Sequence, residues 1–130
     1  MASSISVDEL EKALATLNLA LDFAEKQKDS EDQFKITRDA CIQRFEYCIE
    51  LSWKVSMKKL GSQTKFARPA VREMARGDLI DSAEVWLNFI EARNNSSHSY
   101  DEDVAQRVFD EIKKFRGESQ ELLKRLKKLP

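Results

Sequence analysis

At 130 residues the chain has the length of one ordinary domain; it is 42% hydrophobic and 35% charged, with only three glycines and two prolines. Such a composition suits long solvated helices, and it argues against a turn-rich β fold and, with seven phenylalanines and two tryptophans on hand for a core, against disorder. The net charge of -1 excludes a protein that coats polyanions generally, yet the charge is segregated: residues 1–50 carry eleven acids and six bases, 113–130 two and seven.

Met1 opens no charged-then-apolar leader, and no apolar run approaches the ~20 residues of a membrane span, so a cytoplasmic protein without membrane contact is expected. Ser6 followed by Glu9 makes a capping box. Val7, Leu10, Leu14, Leu17, Leu21 and Ala24 then recur at alternating spacings of three and four, which predicts a helix with one buried stripe. The polar run Lys26 to Gln33 interrupts that pattern. A second long helix follows to about Leu60, with Cys41, Phe45, Cys48, Ser52 and Val55 on one face and Gly61 as its C-cap. On such a helix Cys41 and Cys48 lie about 10 Å apart, too far for a disulfide, and are expected to be reduced core residues.

A basic linker occupies Gly61 to Gly77, and Pro69 is placed to open a short helix through Val71, Met74 and Ala75. Asp81 and Glu84 form another capping-box pattern before a helix from Ser82 to Arg93. That helix has two apolar stripes, Ala83, Leu87 and Ile90 on one side and Val85, Trp86 and Phe89 on the other. One bundle core hardly needs both, so Trp86 and Phe89 are expected at a homodimer interface, the alternative being a central helix enclosed by its neighbours.

The last helix is predicted to start near Asp101, with Val104, Val108, Ile112, Phe115, Leu122 and Leu126 as its stripe and Gly117 and Ser119 weakening its middle. The prediction is an all-α fold: an antiparallel up-and-down four-helix bundle with an extra short helix between the second and third main helices. It forms a single domain over residues 1–130, less ordered at 1–6 and about 118–130.

Chemistry concentrates in Arg93-Asn94-Asn95-Ser96-Ser97-His98-Ser99-Tyr100, where the apolar pattern stops and the only histidine stands five residues after an arginine. Histidine can pass a proton near neutral pH, and the planar fork of arginine can hold a phosphate. Together His98 and Arg93 have the chemistry to cleave RNA without metal, one accepting or donating the proton and the other stabilising charge on phosphorus. Spacing alone equally suits a histidine that caps helix carbonyls and an arginine that snorkels. A single histidine per chain favours a site shared by two subunits. The basic stretch Lys54, Lys58, Lys59, Lys65, Arg68, Arg72 and Arg76, opposed only by Glu73, is the candidate for RNA or nucleotide phosphates, with a solvated helix face as its alternative. No metal and no cofactor are expected, because one histidine and two core cysteines make a poor ligand set and no Gly-rich phosphate loop occurs.

At Arg93, His98 and Tyr100, spaced Arg-x4-His-x-Tyr with Asn94 directly after the arginine, the sequence resembles the HEPN superfamily in the branch paired with minimal nucleotidyltransferases. Phe45-Glu46-Tyr47, Phe66-Ala67-Arg68-Pro69 and Gly77-Asp78-Leu79-Ile80-Asp81 are similar to the nucleotidyltransferase substrate-binding proteins of that branch, and the resemblance covers roughly residues 8–115. It implies a homodimeric helical partner of a minimal nucleotidyltransferase encoded nearby, in a two-component system of the toxin–antitoxin kind. Tyr100 is implied as AMP acceptor, and Asn94 and Ser97 support the motif. The resemblance also implies a second reading, a ribonuclease toxin using Arg93 and His98; a structural dimer without nucleotide chemistry is the third. Gly61-Ser62 and Asp101-Glu102-Asp103 superficially suggest a nucleotidyltransferase active site, but no strand pattern surrounds them to set two carboxylates around Mg²⁺.

Overall fold

A computed structural model describes residues 5–130 and contains five helices: α1 (Val7–Lys26), α2 (Glu31–Leu60), α3 (Ala67–Arg76), α4 (Ala83–Asn95) and α5 (Glu102–Lys127). A single 3₁₀ turn, Ser96–His98, links α4 to α5. No strand occurs among the described residues, so the fold is all-α as expected. The expectation for residues 1–6 lies largely outside the described residues.

Ion pairs fix the directions of the helices. Lys127 reaches Glu11 at 2.8 Å and Arg116 reaches Asp22 at 2.9 Å, which sets α5 antiparallel to α1. Arg38 on α2 binds Glu102 at the start of α5, and the Lys59 ammonium donates to the Pro130 carbonyl at 3.2 Å, so α2 and α5 run parallel. With the α1–α2 and α4–α5 turns, this gives the up-and-down bundle, and α3 packs against α2 and α4.

The helix ends follow from local chemistry, with four departures from expectation. Ser6 caps α1, accepting from the Glu9 amide at 3.1 Å. Only Gln27–Ser30 interrupts α1 and α2, because Glu31 and Asp32 are favourable in a first turn and their polarity marks solvent exposure there rather than a loop. Gly61 takes the left-handed conformation (φ 68°) in a Schellman end, its amide bonding the Lys58 carbonyl and that of Ser62 the Met57 carbonyl. Pro69 is the third residue of α3 rather than the first; the first turn still tolerates it, since its amide position has no partner within the helix. Ser82, not Asp81, caps α4 by accepting from the Val85 amide at 3.2 Å, and Asp81 instead pairs with Arg125 at 2.7 Å. Asp101 caps α5 through the amides of Asp103 and Val104. Finally, α5 passes Gly117 unbroken and the tail expected to be less ordered is helical to Lys127. Burial of Ser119, Leu122, Leu123 and Leu126 outweighs the ~1 kcal/mol that an interior glycine costs a helix.

The core is centred on four aromatic rings, Phe45 of α2, Trp86 and Phe89 of α4, and Phe115 of α5, which meet edge to face at centroid distances of 5.2–5.5 Å. Trp86 and Phe89 are 0% exposed within the single chain. The interface assigned to them is therefore wrong: the short α4 is enclosed by α2, α3 and α5, and its aromatic stripe is the centre of the bundle. Cys41 and Cys48 are free and buried, and burial pushes their thiols up to about 11 and about 12. No helix among the described residues is long and apolar enough to cross a membrane.

Candidate functional site

Arg93 lies on the last turn of α4, one turn beyond Phe89, where the helix leaves the aromatic core. An arginine there needs an acceptor, and α2 supplies one: the Arg93 Nη1 stands 3.9 Å from Glu46 Oε2. Arg93 is half-buried, and among the described residues no acceptor meets its buried Nε. The Ser96 hydroxyl donates to the same Glu46 carboxylate and lies 2.7 Å from the Arg93 carbonyl, and Ser96 is only 3% exposed. Glu46 thus ties both the arginine and the start of the 3₁₀ turn to α2.

The 3₁₀ turn changes the geometry of the motif. A continuous α-helix would set Arg93 and His98 about 140° apart. The chain instead tightens at Ser96–His98 and turns through Ser99 and Tyr100 into α5. The turn brings His98 and Tyr100 together: Nδ1 and the phenolic oxygen are 3.4 Å apart, and the rings meet edge to face with centroids 5.9 Å apart. Both side chains are exposed, Tyr100 at 84%. No hydrogen bond or ion pair joins Arg93 to His98 among the described residues, so the site consists of two adjoining pairs, Arg93–Glu46 and His98–Tyr100. Asn94 and Ser97 are exposed, the Ser97 hydroxyl donating to the Asn94 carbonyl at 3.3 Å.

An open cleft of about 580 Å³ lies beside Arg93, walled by Glu46, Tyr47, Glu50 and Lys54 of α2. A second cleft of about 400 Å³ follows along α2, lined by Lys54, Lys58 and Lys65 with Trp53, and Lys54 borders both. Of the basic residues singled out, Lys54, Lys58 and Lys65 therefore line these two clefts. Arg68 is held at 2.9 Å by Glu91 on α4, and Arg72 and Arg76 are exposed on α3; none of the three lines either cleft.

Sequence reasoning missed Glu46 and Ser96 as members of the site. Glu46 stands within one of the segments similar to the substrate-binding proteins, which was the one available signal; its pairing with Arg93 spans elements far apart in the chain. Ser96 looked like one of several loop serines. The two rejected resemblances to an enzyme site have structural roles, Gly61 ending α2 and Asp101 opening α5. Among the described residues no group of three or more His, Cys, Asp or Glu side chains could hold a metal ion.

Known proteins share this fold. Residues 6–128 match the family described as nucleotidyltransferase substrate binding protein like. The chain is 32% identical over 94 residues to a protein of Haemophilus influenzae described as probable ribonuclease HepT, a match covering 66% of this chain and 64% of that relative. The structure of HI0074 from Haemophilus influenzae, described as the fold of a substrate binding domain of a nucleotidyltransferase, superposes with a TM-score of 0.80 at 25% identity, covering 94% of this chain and 99% of that one. A crystal structure of a Thermus thermophilus protein gives a TM-score of 0.77 at 29% identity over 90% of this chain and 98% of the other. With the match running over nearly its whole length, the chain belongs to the family of nucleotidyltransferase substrate-binding-like proteins.

Proposed function

We propose that the chain is the helical partner of a minimal nucleotidyltransferase in a two-component system, and that Tyr100 accepts AMP from that enzyme. The observation that carries this reading is the position of Tyr100: the residue is 84% exposed, and its hydroxyl lies 3.4 Å from Nδ1 of the only histidine. In the transfer, the phenolic oxygen bonds to the α-phosphorus of ATP, the bond to pyrophosphate breaks, and the phenolic proton passes to a base, a role open to His98 or to a group on the enzyme. The product places a phosphate and a purine against the His98 ring, which blocks whatever that ring does. The test mixes the protein with its nucleotidyltransferase, ATP and Mg²⁺ and reads intact mass and peptide maps. One or more AMP groups on Tyr100, absent in Tyr100→Phe, are expected; no complex and no adduct would remove the reading.

The second reading, a metal-independent endoribonuclease, is favoured by Arg93 and the relative described as a probable ribonuclease. Arg93 retains an unpartnered Nε among the described residues and stands next to the turn that carries His98, an arrangement suited to binding a phosphate beside a proton-transfer group. Cleavage of RNA in EDTA, lost in His98→Ala and in Arg93→Ala, is the expected result, and cleavage that survives both points to a contaminant. The two readings combine if AMP on Tyr100 silences the nuclease. A homodimer supplies the second acid or base that one histidine cannot, and sedimentation at micromolar concentration tests it. If neither assay responds, the protein is a structural dimer without nucleotide chemistry.

A further inference from the structure

The cleft beside Arg93 is poorly suited to phosphate along its length. Two carboxylates, Glu46 and Glu50, face it, and among the described residues cations stand only at its ends, Arg93 at one and Lys54 at the other. Gln43, Tyr47, Glu50 and Lys54 occupy positions i, i+4, i+7 and i+11 of α2, one face of the helix over about 16 Å. Tyr47 is 52% exposed, its hydroxyl donating to Glu9 on α1 at 3.4 Å, so its ring is anchored while much of it meets solvent. Glu46 is committed to Ser96 and Arg93, whereas among the described residues Glu50 has as its partner only Lys54 at 3.6 Å, within a half-exposed i, i+4 pair.

An aromatic face, a carboxylate and flanking cations are the elements that read a splayed base: stacking on the ring, donors of the base edge to the carboxylate, phosphates to the cations. Guanine fits a carboxylate best, because its N1–H and N2–H groups are adjacent donors matching two carboxylate oxygens, while uracil offers a single donor between two acceptors. We propose that this cleft binds a guanine of single-stranded RNA next to the phosphate held by Arg93. Tyr47 stacks on the base, Glu50 accepts from its edge and Lys54 takes the following phosphate, passing the strand towards Lys58 and Lys65 in the adjoining cleft. The inference rests on the reading of Arg93 as a phosphate site and adds to it a base preference and a path.

The test uses full-length His98→Ala protein, with its fold checked by circular dichroism, and two short labelled RNAs blocked at the ribose 2′-OH: all-uridine, and the same strand with one central guanosine. Fluorescence anisotropy should show the guanosine strand binding about tenfold more tightly, with Tyr47→Ala and Lys54→Ala each weakening both strands by about tenfold. Glu50→Gln should erase the preference, the guanosine strand binding no more tightly than the all-uridine strand in the same variant. A preference that survives Glu50→Gln, unchanged affinity in Tyr47→Ala, or no binding of either strand overturns the proposal. Cleavage by the His98-intact protein is measured in parallel. His98-dependent cleavage indifferent to Tyr47, Glu50 and Lys54 leaves the nuclease reading standing and removes this one; the predicted binding pattern without cleavage does the reverse.

Discussion

The two ends of α4 carry similar-looking signals and have opposite fates. Trp86 and Phe89 looked like surplus apolar surface for a partner and form the centre of the aromatic core; Arg93, one turn later, continues the same face and emerges beside Glu46 at the edge of an open cleft. Periodicity identified which residues share a face. It could not say how many neighbours that face has, and with α2, α3 and α5 around a helix this short both apolar stripes are used. The residues that remain for contact with other molecules are the polar ones past the last core aromatic.

The contrast is broken most severely at the packed end. Phe89→Ala should destabilise the protein by about 3–5 kcal/mol, the range for a large buried aromatic, as read by urea unfolding. His98→Ala, at the exposed end, should move stability by less than about 0.5 kcal/mol while abolishing the nuclease activity proposed for the site. A comparable loss of stability from the two substitutions would show that the turn is structural. Glu46→Ala lies between them, at about 1–3 kcal/mol, since it takes the charged acceptor from the buried Ser96 hydroxyl, which keeps only the Arg93 carbonyl, and releases Arg93. Its signature beyond stability is altered hydrogen exchange in the Ser96–Tyr100 turn with the core amides unaffected.

Gly117→Ala should act in the opposite direction, raising stability by up to about 1 kcal/mol, because a Cβ there meets nothing within 4 Å and the position is inside a helix. A loss of stability on thermal denaturation would mean that α5 bends at that point in solution. The smallest effects come from exposed carboxylates and are read as pH dependence. The Arg38 hydrogen bond, with smaller contributions from the charges of Arg38 and Lys35, holds Glu102 below its ordinary value of 4.5, and bonds from Ser62 and Thr64 do the same for Glu73. A carboxylate depressed in the folded state contributes stability that is present above its unfolded value and lost as pH falls through its folded value. Acid titration should therefore weaken the protein below pH ~4.5, less so in Glu102→Gln; an unchanged acid limb in that variant would remove Glu102 from the account.

Much of this was legible because it is local. Ser6, Gly61 and Asp101 bound their helices as caps do, and the stripe of α5 predicted the core positions Val108, Ile112, Phe115, Leu122 and Leu126. The motif itself was legible as residue types that have no business ending an apolar helix: one arginine, one histidine, one tyrosine. Where local rules tied, the structure chose. Asp81 and Ser82 are both good caps, and Arg125 on α5 claimed Asp81. Gly117 is a weak point in a helix, and the leucines beyond it are strong enough contacts to carry the helix through.

The sequence by itself determined the helices, their buried stripes and the candidate residues of the site, because each depends on neighbours within about one or two turns. Only the tertiary structure decided that α4 is enclosed, that Glu46 from α2 holds Arg93 and Ser96, and that a 3₁₀ turn sets the His98 ring against the Tyr100 hydroxyl. Those outcomes depend on which surfaces of distant segments meet, and on a change of helical pitch at Ser96 that a fixed 100° step per residue does not contain.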